Sequence, residues 1–150
     1  MKPKNELDKM DGRILQLLQD NARMTNTEIG KRIGLSQPAV TARIQRLEES
    51  GVIEGYSARI NPRRAGMEIT ALIRLKTTHE KINACLEMFK SMPAIIEADR
   101  ITSDDCFMIR ATVATMPELE VAIDQLASLG GVTTAIVLAS YPKKPIGTDT

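Results

Sequence analysis

Tryptophan is absent, and aromatic residues make up only 3% of the 150-residue chain, as two Phe and two Tyr. So few rings cannot build a platform on which bases or sugars stack. A core must therefore come from Ile, Leu, Val, Met and Ala. Cysteine is nearly as scarce: Cys85 and Cys106 lie far apart and form no C-x-x-C pair, and His79 is the single histidine. No zinc site of the Cys/His kind can be drawn from these, and no metal is expected. Two isolated cysteines suit a reducing compartment, and both are read as small buried hydrophobes. Long hydrophobic runs are also missing. The longest, Ala135–Ala139, is far too short to span a bilayer, so no membrane association is expected. The opening Met1–Asp8 has basic residues without an apolar stretch behind them, so no signal peptide is expected.

An excess of charge of one sign is lacking too. Twenty Lys+Arg stand against 19 Asp+Glu, a net charge of +1. That excludes a protein that coats nucleic acid everywhere, but not a locally basic surface. Catalytic arrangements are missing as well. His79 has no acid–nucleophile set around it, and there is neither a nucleophile elbow nor a glycine-rich phosphate loop, so no enzyme is expected.

What is present changes character near residue 60. Before Ser50 the apolar residues recur at helical spacing; after Ile69 strands and helices alternate. Asn61–Gly66, rich in Pro, Gly and Arg, reads as a connector. The expected division is a helical domain over 1–60, a linker over 61–68, and a domain of alternating strands and helices over 69–150.

In the first part, Asp8 caps a helix with Asp11 three residues on, and Ile14, Leu17 and Leu18 form its apolar face. Thr25 and Glu28 read as a capping box opening a second helix with Ile29 and Ile33 inward. Gly34 is a natural left-handed C-terminal residue. Ser36 caps a third helix, Pro38 sits in its first turn, Val40, Ile44 and Leu47 face the core, and Gly51 ends it. Two helices joined by Gly34-Leu35-Ser36 match a helix-turn-helix. Val52–Ala58 reads as two short strands around a tight turn, a small wing.

The second part reads as strand Ile69–Thr77, helix Glu80–Met92, strand Ile95–Thr102, strand Cys106–Ala114, helix Pro117–Leu129 and strand Val132–Tyr141. Ile82, Leu86 and Phe89 are expected to face inward from the first helix, and Leu119, Ile123 and Leu126 from the second. Met88, Met92, Met108 and Met116 are read as packing residues, and the stretch from Pro142 as a frayed tail. The order βαββαβ is ferredoxin-like, an antiparallel sheet with both helices on one face. The last strand is apolar on both sides, which calls for a cover over the open face; a second copy of the chain is the simplest. A homodimer through this domain is therefore expected. The fold class is α+β, a winged helix-turn-helix followed by a βαββαβ sandwich.

Removing the core positions from the third helix leaves Gln37, Pro38, Thr41, Ala42, Gln45, Arg46 and Glu49 outside, with Arg43 at the margin. Gln can bond adenine bidentately, Arg guanine, and Thr offers a hydroxyl and a methyl group. Gln37, Pro38 and Thr41 are expected near base edges; Arg43, Gln45 and Arg46 at bases or phosphates; and the amides after Ser36 near a phosphate. Between Arg23 and Arg46, five cations face one anion, Glu28, a local excess where a duplex would lie. Helical spacing and a few arginines alone suit the solvated face of a three-helix bundle. The glycine turn, the capped third helix, the wing and the local charge together favour double-stranded DNA. RNA binding through the sheet would need two or three aromatics on its face.

Leu7-Asp8, Asp11, Ile14-Leu15, Asn21-Ala22-Arg23, Glu28-Ile29-Gly30, Ile33-Gly34-Leu35-Ser36, Arg43-Ile44, Leu47-Glu48, Gly51-Val52-Ile53 and Gly55-Tyr56 together resemble the winged helix-turn-helix of the Lrp/AsnC ("feast/famine") transcription regulators. The βαββαβ half is similar to that family's effector-binding domain. The resemblance implies a bacterial or archaeal cytoplasmic regulator that dimerises through its C-terminal domain. It also implies assembly into octamers or related rings and response to an amino acid bound at oligomer interfaces. Thr102-Ser103-Asp104-Asp105-Cys106-Phe107 stands where many members carry a Thr-Gly-x-Tyr-Asp-Tyr-like turn. Thr102, Ser103, Asp104 and Asp105, with Thr133 or Thr134 on the next turn, are the candidate effector residues. A polar turn with two solvated acids is the plainer reading of the same stretch. The competing function is an architectural protein that wraps DNA with little sequence specificity and no effector.

Overall fold

The computed structural model describes residues 7–102 and 106–147, without the side chain of Cys106. Two compact units emerge. One holds the described residues up to Arg59 together with those from Pro142; the other is Ile60–Tyr141.

The first unit, the head, contains α1 (Lys9–Asp20), α2 (Asn26–Ile33) and α3 (Gln37–Glu49). Each begins on a side chain that satisfies an orphan backbone N–H. The Asp11 N–H donates to Asp8, the Glu28 N–H to Thr25 and the Ala39 N–H to Ser36. Asp11 and Glu28 return the bond to the cap residue's own N–H, closing two capping boxes. Gly34, at φ 77°, ends α2 in the left-handed region. The core is Ile14, Leu15, Ile29, Ile33, Val40, Ile44 and Leu47. Leu15 belongs to it fully, while Leu17 and Leu18 are only partly buried.

The two strands expected over Val52–Ala58 do not form: residues 52–60 contain no paired strand. A ribbon of about three residues a side is marginal without further strands to support it. The segment is held instead by the Ile53 N–H on the Leu47 carbonyl, 3.0 Å, and by Tyr56 Oη donating to Glu48, 2.8 Å. Nor is the described part of the tail frayed. The Gln19 amide grips the Ile146 backbone on both sides, donating to its carbonyl at 3.1 Å and accepting from its N–H at 2.7 Å.

The second unit contains β1 (Ile69–Lys76), α4 (Ile82–Ser91), β2 (Ile95–Arg100), β3 (Cys106–Val113), α5 (Met116–Ala127) and β4 (Gly131–Ile136). The sheet order is β2-β3-β1-β4, antiparallel throughout. Ala71, Ile73, Leu75, Phe107, Ile109, Ala111 and Val113 pack against Cys85, Phe89, Met92, Leu119, Ala122 and Leu126. The rings of Phe89 and Phe107 meet edge to face, 5.1 Å apart.

Four expectations are corrected here. Leu86 is exposed, and Cys85 takes the buried place on α4. Met116 is exposed while Met92 is buried. A short 3₁₀ turn, His79–Lys81, precedes α4, which starts at Ile82. Finally, β4 stops at Ile136 rather than Tyr141: Ile136 pairs with Ala71, and the Val137 N–H makes one further bond to Thr70, although β1 itself begins at Ile69. Within β4, Thr133 and Ala135 share the helix-free face with Leu72 and Arg74. That face is accordingly more polar than the sequence implies.

Candidate nucleic-acid interface

The face of α3 opposite its core stripe is open. Gln37, Pro38, Thr41, Ala42, Gln45 and Arg46 are exposed and Arg43 half-buried. Local chemistry explains why this helix, of the first three, suits a polyanion. The first turns of α1 and α2 carry Asp11 and Glu28, whereas that of α3 carries no acid. Its positive dipole end is left uncompensated beside Ser36 and Gln37. The acids Glu48 and Glu49 lie at the other end, where Glu49 accepts from Gln45, 2.9 Å, and Glu48 from Tyr56. Burial, and then the bond to Glu48, push the Tyr56 hydroxyl up to about 12, so it stays a donor.

A small network fixes the polar side chains at the N-terminal end. Thr41 Oγ1 donates to the Gln37 carbonyl, 3.0 Å, and accepts from Gln37 Nε2 and Asn26 Nδ2, both at 2.9 Å. The Thr41 hydroxyl is thereby occupied within the protein; its methyl group is what it offers outward. Asn26, at the start of α2, was not singled out from sequence. A cleft of about 480 Å³ runs along this side, lined by Met24, Asn26, Thr41, Gln45, Glu48 and Tyr56 among others.

The two arginines are tied to α1. Arg43 Nη1 contacts Asp8 Oδ2 at 2.6 Å and Asp11 Oδ1 at 2.8 Å; Arg46 Nη2 contacts Asp11 Oδ2 at 2.6 Å. Asp11 is 1% exposed, whereas Arg46 remains 60% exposed. Two acids three residues apart, the cap and the first turn of α1, thus meet two arginines three residues apart on one face of α3. Asp8 and Asp11 offset Arg43 and Arg46, so the local excess counted from sequence is carried mainly by exposed Arg23, Lys31 and Arg32.

The hydrogen bond from Arg43, followed by the Asp11 backbone N–H, holds the Asp8 carboxyl below its usual range. A depressed carboxylate stabilises the fold above its unfolded pKa of about 4, and that contribution disappears as pH falls through the folded value. Asp8→Asn should therefore lower the stability of the head at pH 7 by about 0.5–1 kcal/mol, read as a lower melting point, Asp8 being half exposed. The gap from wild type should close as pH falls through that depressed value; Asn caps a helix about as well as Asp, so a gap that persists in acid would assign the loss to something other than the carboxylate charge.

The described effector candidates, Thr102, Thr133 and Thr134, do not converge. Thr102 is exposed just beyond β2, and Ser103, Asp104 and Asp105 lie outside the described residues. Thr133 and Thr134 are on no turn: they sit inside β4, opposite Arg74 and Ile73 and so on opposite faces. β4 is two strands from β3, about 10 Å across the sheet. Among the described residues there is no group of His, Cys, Asp and Glu that could hold a metal, and no helix long and apolar enough to cross a membrane.

Comparison with known proteins places this geometry. Residues 7–54 match a winged helix-turn-helix DNA-binding model, and residues 70–145 an Lrp/AsnC ligand-binding domain. The helix-turn-helix transcriptional regulator PH0140 of Pyrococcus horikoshii is 34% identical over 143 residues, covering 93% of this chain and 90% of its own. The structure of Bacillus subtilis LrpC superposes with a TM-score of 0.87 at 22% identity, covering 93% of this chain and 100% of its own. The Neisseria meningitidis transcriptional regulator NMB0573, solved with L-Met, superposes at 0.84 with 24% identity, covering 97% and 96%. The helix-turn-helix, its open third helix, the ferredoxin-like sheet and these matches agree: the chain belongs to the Lrp/AsnC family of DNA-binding transcriptional regulators.

Proposed function

We propose that the chain regulates transcription by reading a specific operator with α3. The observation that carries this is a fixed row of exposed polar side chains at an acid-free helix N-terminus. Gln37, Pro38 and the Thr41 methyl meet base edges, with Ala42 close to the groove floor. Gln45 and the free edge of Arg46 reach bases or phosphates, and the amides after Ser36 receive a phosphate. Arg43 acts from the margin, braced by Asp8 and Asp11. Arg46→Ala should weaken binding and flatten the dependence of log affinity on log salt by about one unit. An unchanged slope, measured by fluorescence anisotropy, would place the DNA elsewhere.

The active species is a dimer or larger ring in the cytoplasm, joined through the second unit. Ile136, Leu138 and Tyr141 are exposed apolar side chains at and beyond β4, which supports such a contact. The effector is an amino acid or related small molecule at an oligomer interface, contacted by Thr102, Ser103, Asp104 and Asp105; Thr133 joins from a neighbouring copy, Thr134 being on the other face. The match to a ligand-binding domain and the L-Met bound by the Neisseria protein support this. A panel of amino acids that moved neither the melting point nor the oligomer size would remove it.

A further inference from the structure

Among the described residues of the head, Asp11 is the most deeply buried acid, 1% exposed. Its two oxygens are divided between the two arginines of α3, with Oδ1 on Arg43 and Oδ2 on Arg46. Oδ2 also accepts the Asp8 N–H at 3.2 Å, so the capping box that starts α1 fixes the carboxylate before it meets either arginine. The arginines differ in what this leaves them. Arg43 is held by two acids through one nitrogen and is 27% exposed; Arg46 gives one nitrogen to Asp11 and keeps most of its guanidinium in solvent.

We infer that Asp11 is a positioning residue that sets the specificity of the head. It orients the free edge of Arg46 toward the groove and withholds the charge of Arg43 from the phosphate backbone. Two flexible cations at the margin of α3 would otherwise reach any nearby phosphate, a contact that adds affinity without sequence information. A buried carboxylate shared between them converts that reach into fixed geometry, with less rotamer freedom lost on docking. The inference deepens the proposed reading of DNA by α3 and rests on it.

The test compares wild type, Asp11→Asn and Arg46→Lys as full chains. Each is measured on its own captured operator and on shuffled DNA of equal length, over a salt series. Asp11→Asn keeps the size of the side chain and removes its charge. Its affinity for shuffled DNA should rise, its salt dependence should steepen by about one unit, and the preference for operator should fall about tenfold. Arg46 is largely exposed, so Arg46→Lys leaves the fold intact; it keeps the charge but loses the fork held by Asp11. It should retain the salt slope and lose about tenfold in preference. Preferences equal to wild type in Arg46→Lys, or in folded Asp11→Asn, would reduce Asp11 to a structural residue and overturn the inference. Absence of any operator preference in wild type itself would overturn the reading of DNA by α3, and the inference with it.

Discussion

The Gly30→Ala protein is expected to melt about 10–20 °C lower in its head and to bind operator DNA at least about tenfold more weakly. Gly30 lies on the last turns of α2, where the backbone of the turn into α3 crosses it. A Cβ built there collides with the carbonyl oxygen of Leu35. That oxygen belongs to main chain rather than to a side chain that could swing away. The turn must therefore open, at a cost of about 2–3 kcal/mol by the usual scale of overpacking, equivalent to that melting shift in a domain of this size. The opening also moves Ser36, the cap of α3, and with it the helix that carries Gln37, Thr41 and Arg46. Calorimetry and anisotropy on the same preparation read both effects. A head that melts normally would show that the turn tolerates the methyl group.

The second large effect falls in the other unit. Gly130 sits between α5 and β4, pressed against the end of β1. A Cβ there would strike the carbonyl of Lys76, at a junction also pinned by the Thr77 hydroxyl donating to Leu129 at 2.7 Å. Gly130→Ala should detach the start of β4 from β1, cost about 2–3 kcal/mol in that unit and leave the melting of the head unchanged. If the units assemble through this sheet, the oligomer should dissociate, and DNA affinity should fall by roughly a hundredfold as two linked heads become single ones. Sedimentation velocity with calorimetry checks both halves. An intact oligomer alongside a destabilised sheet would move the assembly surface away from β4.

The helix starts were legible in the sequence because capping is local. Asp8, Thr25 and Ser36 each act within three residues of themselves, and so do the residues that end the turn at Gly34. The βαββαβ order was legible for a similar reason: strand and helix periods differ along the chain. Tertiary partners were not. Leu86 looked like the better core residue, but Cys85, one position earlier, points at the sheet, and helical spacing accepts either. The apolar run to Ala139 suggested a longer final strand than the six residues of β4 that pair with β1. Arg43 and Arg46 were legible as surface cations of the right type; their attachment to Asp8 and Asp11 is a contact across more than thirty residues. Matching i, i+3 pairs of opposite charge on two helices are the one sequence signal that could have revealed it.

The central claim is that α3 distinguishes one DNA sequence from another. Genomic capture of bound fragments defines the preferred site, and affinities for it and for shuffled DNA are then compared at one salt concentration, for wild type and for Gln37→Ala. A preference of about a thousandfold or more in wild type, cut at least about tenfold by Gln37→Ala with the affinity for shuffled DNA unchanged, is the predicted result. Equal affinity of wild type for both DNAs would contradict it and leave an architectural protein that wraps DNA without reading it.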